Sequence, residues 1–482
     1  MRKTVLFFSL LAAWTPKPAP AAMLGHGSAG GTVLRPAWQA DGEAANSHFG
    51  LRCMGLGDVN GDGYGDLVVS APAFDSNRGK VYVYCGGPHG LGAKPCWTMQ
   101  GQHRGDQFGD RAGQAGDVNG DGYADLYVAI PSWKGGPGRC EVYLGGKHGL
   151  AKKPAWAQTA NSREPEQFGD CTHPTGDVNG DGYDDLLVGA YQARSSTGRA
   201  LLYLGGPQGL SPQPVWEKSG EAEGDQFGYT LSSVGDINGD GFGDVIIGAK
   251  FHDNSAERGQ KPRTSFSAGK AYLFEGHSKG LSEASSKTLF GSSAGARFSV
   301  RSYGAGDVDG DGHADFMVSE PGVDKGQGAL NVYSSAGFKL LQRYEGKRFG
   351  LDDLGQAAGP AGDVNGDGYD DLLVVGRVAD RGQVLLFLGG PQGLPARPQF
   401  RIQAASESGA FGAWVAPAGD LDGDGLADIV IGAELFSEKL SLAGRVYVLY
   451  GRQAFSEKIS ASKASKGLTG YLPPLKKKSF RK

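Results

Sequence analysis

The chain has 482 residues, 48 basic and 52 acidic side chains, and a formal net charge of −4. That balance gives no reason to expect a nucleic-acid partner, and beyond the N-terminus no stretch approaches the roughly 20 apolar residues of a membrane-spanning helix. The 82 glycines would suggest disorder if scattered, but they recur at fixed intervals and therefore read as structural.

Residues 1–22 open with Met1-Arg-Lys, continue through an apolar run over Thr4–Trp14 and end at Ala19-Pro-Ala-Ala22. This is the basic, apolar and small-residue order of a secretory signal peptide, so the protein is expected to be secreted, to the periplasm, the cell surface or the medium. Residues 23–32 read as a linker. Leu34-Arg-Pro-Ala-Trp38 follows as an isolated strand-like segment.

Seven copies of a nine-residue loop come next: Asp58–Asp66, Asp117–Asp125, Asp177–Asp185, Asp236–Asp244, Asp307–Asp315, Asp363–Asp371 and Asp420–Asp428. Their start-to-start spacings are 59, 60, 59, 71, 56 and 57 residues, which marks one supersecondary unit repeated seven times. Oxygens at positions 1, 3, 5 and 9, with glycine at position 6 for the turn, are how a short loop wraps a hard cation such as calcium. The first, fifth and ninth positions are Asp58, Asp62 and Asp66; Asp117, Asp121 and Asp125; Asp177, Asp181 and Asp185; Asp236, Asp240 and Asp244; Asp307, Asp311 and Asp315; Asp363, Asp367 and Asp371; and Asp420, Asp424 and Asp428. Position 3 is Asn60, Asn119, Asn179, Asn238 and Asn365 in five loops, and Asp309 and Asp422 in the others. Position 7 varies (Tyr64, Tyr123, Tyr183, Phe242, His313, Tyr369, Leu426), which fits a ligand supplied by the backbone carbonyl. Bare, these clustered carboxylates repel one another, and a divalent cation removes the penalty. About seven Ca²⁺ ions are expected. An EF-hand is excluded, because position 12 is Val69, Val128, Val188, Ile247, Val318, Val374 or Ile431 within short apolar strands rather than a glutamate.

Around each loop one pattern recurs. A Phe-Gly pair opens it (Phe49, Phe108, Phe168, Phe227, Phe349 and Phe411, with Phe298-Ser299 as the variant). The cation loop, an apolar run, an alternating Val-Tyr strand and, in the first three repeats, Pro-x-Trp follow (Trp97, Trp156, Trp216). Four strands per repeat make a β-propeller blade. The order Phe-Gly, cation loop, Gly-Ala-Pro resembles the FG-GAP repeats of the seven-bladed propeller that heads integrin α subunits. The fold class expected is therefore all-β, a seven-bladed propeller over residues 33–451. The last repeat lacks its own Pro-x-Trp strand, so residues 33–40, with Trp38, are expected to close the ring as its fourth strand.

The resemblance implies that ligands and partners bind on the face opposite the cation loops. There Phe74, Trp133, Tyr191, Phe251 and Phe436 follow the second strands and are candidate anchors, similar to the aromatic cup by which integrin α propellers grip a basic side chain. An insertion at 253–267, with Arg258, Lys261 and Arg263, lies on the same face. Arg104-Gly-Asp106 aligns with Glu223-Gly-Asp225 and reads as repeat grammar, and Ser293 in Gly-Ser-Ser-Ala-Gly reads as a turn residue rather than a nucleophile. Among five cysteines, Cys85 and Cys96 are expected to pair, which leaves an odd thiol. Residues 452–482 are a basic tail that reads as solvated and disordered, with electrostatic contact to a polyanionic surface as its functional reading. The function expected is a non-catalytic module binding an extracellular protein or glycan. A lectin and a calcium-dependent polysaccharide lyase are the alternatives.

Overall fold

The computed structural model describes residues 25–27, 31–33, 36–162, 164–253, 267–379, 381–404 and 410–452. Seven four-stranded antiparallel sheets follow one another around a ring. In blade 1 the strands run, from axis to rim, Cys53–Gly57, Asp66–Ala71, Lys80–Tyr84 and Trp97–Gln100. The cation loop joins the first strand to the second, so all seven loops share one face. The turns between second and third strands, and the links between blades, share the other.

The core lies between successive blades. Val68, Val81, Val83 and Trp97 of blade 1 meet Leu126, Val128 and Tyr143 of blade 2, while Leu67, Val69 and Tyr82 on the other face meet Val430, Val446 and Val448 of blade 7. Each second strand is thus apolar on both faces, which explains why runs such as Asp185–Ala190 are buried throughout and show no alternation. At about 25 cal/mol per Å² of apolar surface removed from water, these interfaces supply the main stabilisation.

Ring closure follows the expectation, with a shifted boundary. Blade 7 comprises Trp414–Gly419, Asp428–Ala433 and Arg445–Leu449, and its outermost strand is the N-terminal Trp38–Asp41. Trp38 pairs with Val448 and Asp41 with Arg445, whereas Val33 pairs with Gly25 in a separate two-stranded hairpin. Trp38 then repeats what the other fourth-strand tryptophans do. Its indole N–H donates to Gly92 O at 3.2 Å and its ring meets Tyr84 edge-on at 4.9 Å, as Trp97 does with Ala151 and Tyr143, and Trp156 with Ser211 and Tyr203.

Blade 6 corrects the sequence reading. Phe349 closes a short helix, Gly346–Phe349, and the residue bridged to the preceding blade is Leu354, paired with Gly328 as Phe168 is with Gly138 and Phe227 with Gly198. Gly355 N donates to Val375 O, as Gly50 N does to Ser70 O. Leucine fills the aromatic pocket of blade 6, and Phe349 packs beside Tyr344 and Phe387 instead.

Cys85 and Cys96 are disulfide-bonded, joining the end of the third strand to the start of the fourth in blade 1. Cys53, Cys140 and Cys171 are free thiols, the first two buried. The signal segment, the basic tail beyond Arg452 and the centre of the insertion with Arg258, Lys261 and Arg263 lie outside the described residues. Asp253 and Ser267 bridge at the insertion's base.

Candidate cation loops and the opposite face

All seven acidic loops fold alike. In the first, Asp58 Oδ1 accepts the Gly61 N–H at 2.6 Å and Oδ2 accepts the Gly63 N–H at 2.7 Å, while Asp62 Oδ1 accepts the Tyr64 N–H at 3.1 Å. The same bonds recur from Asp117 to Gly120 and Gly122 and, in the last loop, from Asp420 to Gly423 and Gly425. The position-9 aspartates are fully buried and play a part the sequence did not disclose. Asp66 Oδ2 takes the Val59 N–H at 2.9 Å and Oδ1 takes the Gly86 N–H at 3.0 Å, clamping the loop to the exit of the third strand. Gly86 must be glycine there, since a Cβ would sit 2.2 Å from Gly65 O. Asp125, Asp185, Asp244, Asp371 and Asp428 make the same clamp on Gly145, Gly205, Gly276, Gly389 and Gly451.

The loops also join into a belt. Position 8 donates its N–H to the position-1 carbonyl of the previous loop: Ala124 to Asp58, Asp184 to Asp117, Gly243 to Asp177, Asp370 to Asp307, Ala427 to Asp363 and, across the closure, Gly65 to Asp420. Position 7 covers that same neighbour. A Cβ on Gly61 would lie 2.6 Å from the ring of Tyr123, and one on Gly423 would lie 2.6 Å from that of Tyr64. The side chains at position 7 are thus inter-loop packing except His313, which leaves Gly239 of the fourth loop uncovered, and the role is compatible with the position-7 carbonyl serving as ligand.

Whether these residues fit a divalent cation can be judged where position 3 is acidic. The carboxylate oxygens of Asp307, Asp309 and Asp315 lie within 4.8 Å of one another, as do those of Asp420, Asp422 and Asp428. In these two loops Asp315 Oδ1 and Asp422 Oδ1 are buried without a hydrogen-bond partner among the described residues. At Asp315 the clamp is half made: Oδ2 accepts the Val308 N–H at 3.1 Å, but Ser335 stands where the counterparts have their clamping glycine and no backbone N–H there reaches Oδ1. A buried carboxylate oxygen aimed at other carboxylates and lacking a donor suits a cation. Burial first, then like charge from neighbouring loop carboxylates, pushes Asp315 up to about 7 and Asp428 up to about 8. Bound divalent charge would reverse that shift.

The opposite face differs from its expected form. Each of the five candidate aromatics already has a cation of this chain over its ring. Lys80 lies 5.2 Å from Phe74, Arg139 4.8 Å from Trp133, and Arg445 3.9 Å from Phe436. Lys250 lies 5.9 Å from Tyr191 and 4.8 Å from Phe251. Phe436 is moreover buried in the core, Phe74, Trp133 and Tyr191 are half-buried, and Phe251 alone reaches 36% exposure. They do not form an even ring of open aromatic faces. Asp106 is also buried, accepting the Lys134 N–H at 2.8 Å, so the Arg-Gly-Asp tripeptide does not present its acid; Ser293 sits exposed in a turn.

Sequence reasoning overlooked the mouth of the central channel on this face. Arg52, Arg111, Arg301 and Trp414 all stand three residues after the repeat's opening phenylalanines Phe49, Phe108, Phe298 and Phe411, so they project at one level of the channel. That shared offset was the available signal. Tyr229 and Lys250 join them, the ammonium lying 3.2 Å from the Tyr229 ring centroid. Burial pulls Lys250 down to about 8, aided by Arg301 and Arg297 and opposed by Cys171 and Asp170. A lysine depressed in the fold destabilises it below pH 8, and the penalty fades as pH rises toward the unfolded value. Lys250→Met should therefore raise the melting temperature at pH 7, by about 1 kcal/mol after allowance for its partial exposure, and bring no gain near pH 10. Thermal denaturation in calcium at the two pH values measures this, and an equal gain at both would contradict it.

Residues 54–84, 110–141, 174–203, 227–274 and 300–333 match the FG-GAP repeat, and residues 363–431 match an FG-GAP-like repeat. The chain belongs to the FG-GAP repeat proteins. This FG-GAP propeller is 37% identical over 165 residues to integrin alpha-IIb of Homo sapiens, a match covering 32% of this chain and 16% of that protein. It is 32% identical over 168 residues to integrin alpha-PS3 of Drosophila melanogaster, covering 32% of this chain and 14% of that one. The chain thus spans less than a fifth of the length of these relatives. A solved exotype rhamnogalacturonan lyase overlaps 86% of the chain and 75% of its own at a TM-score of 0.44 and 15% identity. Among the described residues of the FG-GAP propeller no helix is long and apolar enough to cross a membrane.

Proposed function

We propose that this FG-GAP propeller is a secreted, calcium-loaded, non-catalytic module that binds an extracellular partner on the face opposite its cation loops. The reading is carried by one arrangement: seven similarly folded acidic loops on one face, joined by six loop-to-loop backbone bonds, with the orphaned carboxylate oxygens of Asp315 and Asp422 among them. Calcium would be held by positions 1, 3, 5 and 9 with the position-7 carbonyl, and would cancel the repulsion within each loop. The other face is then rigidly framed and free for recognition. The likeness to integrin α subunits supports an adhesive role.

The test is paired. In calcium, the wild type should retain a cell-surface protein from its native source, and Tyr191→Ala with Phe251→Ala should lose that retention by about tenfold or more while leaving the melting temperature within about 2 °C. Incubation with acidic polysaccharides should yield no unsaturated product. Product formation would replace the reading with a lyase, and retention on glycan arrays without protein capture would replace it with a lectin.

A further inference from the structure

The mouth of the central channel holds more positive charge than its own acids neutralise. Arg111 lies between Asp110 and Asp170, at 3.6 and 3.5 Å. Burial, then the neighbouring Asp170, holds Asp110 well above the usual carboxylate range. Arg111 is thus the cation that these two acids pair with. Glu434, which also bears on Asp110, faces His48 at 3.5 Å.

Arg52, Arg301 and Lys250 remain. Among the described residues none of the three has a carboxylate at ion-pair distance. Arg52 Nη1 donates only to Leu51 O and Arg301 Nη1 only to Val300 O, each the preceding carbonyl. Nε of both arginines is buried without a partner. Both guanidinium groups lie over one ring, that of Trp414, at 4.3 and 5.5 Å, and the Trp414 indole N–H is likewise buried and unsatisfied. Two cations on one tryptophan, with unsatisfied donors around them, hold their geometry against mutual repulsion. Such a set of donors suits an anion. A planar guanidinium offers paired N–H groups in the spacing a carboxylate accepts.

We propose that the channel mouth formed by Arg52, Arg301, Trp414 and Lys250 binds a carboxylate, and that the partner inserts an acidic side chain there. This rests on the reading of that face as the recognition face and names the partner's chemistry. It is the opposite of a cup for a basic side chain, because here the chain places its own cations over the aromatic surfaces. The hollow lined by Arg52, Arg301 and Trp414, with Lys250 set against its Tyr229 wall, measures about 70 Å³, room for a few waters or one carboxylate group and too little to enclose a sugar ring.

A small probe tests the site without a partner, so failure of this inference and failure of partner capture are separable. Melting temperature is measured in calcium with sodium succinate, with sodium chloride of equal ionic strength, and with methylguanidinium chloride; labelled succinate is followed by equilibrium dialysis. Succinate should raise the melting temperature above chloride, and Arg52→Gln with Arg301→Gln should weaken succinate binding at least tenfold. The same double variant should melt no lower than wild type in chloride, because it relieves repulsion, and that measurement shows it is folded. If the double variant melts lower, the single variants Arg52→Gln and Arg301→Gln carry the dialysis test. A glutamate-bearing tripeptide should compete with succinate, and its glutamine counterpart should not; competition by neither peptide would confine the site to free small acids and overturn the side-chain part. Succinate no better than chloride, undiminished binding in the variants, or stabilisation by methylguanidinium instead would overturn the carboxylate site.

Discussion

Removing calcium should lower the melting temperature of this propeller by more than about 10 °C. Ions that bind only the folded chain stabilise it by RT ln(1 + [L]/Kd), about 2.7 kcal/mol per site at a hundredfold excess over Kd. Seven sites, even discounted for shared neighbours, rival the roughly 5–15 kcal/mol that holds an ordinary domain together. The belt makes the coupling strong, since at six of the seven steps a loop that loosens withdraws a backbone bond from its neighbour, as Ala124 N does from Asp58 O. The effect should also depend on pH. Without cation, burial and then like charge hold Asp66 and Asp244 up to about 6, Asp125 and Asp185 up to about 7, and Asp371 up to about 8. Carboxyls raised above their unfolded value stabilise the fold when protonated, and lose that contribution as pH rises through the folded value. Metal-free protein should therefore melt lower at pH 8 than at pH 5.5, and the gain on adding calcium should be largest at pH 8. Calorimetry on protein dialysed free of metal reads both; a curve indifferent to calcium would remove the cation reading.

Much of this was legible because the repeat states each rule seven times. The loops, the doubly buried second strands, the Cys85–Cys96 pair and the closing role of Trp38 all followed from local pattern. Three features did not, and for different reasons. Phe349-Gly350 satisfies the opening pattern of blade 6, and only the bridge from Leu354 to Gly328 shows that the register lies five residues later. Phenylalanine followed by glycine also ends a helix, so the dipeptide is ambiguous where the spacing is irregular. The belt and the position-9 clamp are contacts between segments about 20 to 360 residues apart, and a periodic pattern carries no trace of them. The channel arginines were readable in principle from their common offset. They stayed hidden because three of seven blades carry them, while Cys171, Thr230 and Ala357 stand at the same offset elsewhere.

The aromatic face shows why residue type alone misled. Large rings after the second strands suggested open anchors, yet the chain covers each with its own lysine or arginine, and Phe436 lies beneath Arg445 in the core. A cation stacked on a ring consumes the surface that would have gripped a foreign one. What this face would offer a partner is then the edges that Tyr191 and Phe251 leave open together with the charges above the rings, chief among them Arg52, Arg301 and Lys250.

Deleting residues 33–41 should have the second large effect, unseating blade 7 while the other six blades keep all their strands. The segment is short, but it ties two parts of the chain some 400 residues apart. Ala37 N donates to Val448 O and Gly42 N to Gly444 O, Trp38–Asp41 pair along Arg445–Leu449, and Arg445 Nη2 meets Asp41 Oδ2 at 2.7 Å. Without it the third strand of blade 7 becomes an exposed edge with unpaired donors and acceptors, open to a second copy of the chain. Trp38 also leaves its place against Tyr84, opening the seam between blades 7 and 1. The truncated protein is expected to aggregate, or to be trimmed by protease from about residue 414 onward while wild type resists under the same conditions. Trp38→Ala is the milder case. It keeps the backbone pairing and loses only the half-buried ring, so it should cost about 2 kcal/mol and leave blade 7 protected. Limited proteolysis with mass mapping of the fragments, in calcium, separates the two. If the deleted protein matched wild type in melting and in protease resistance, closure by this strand would have no part in holding the ring.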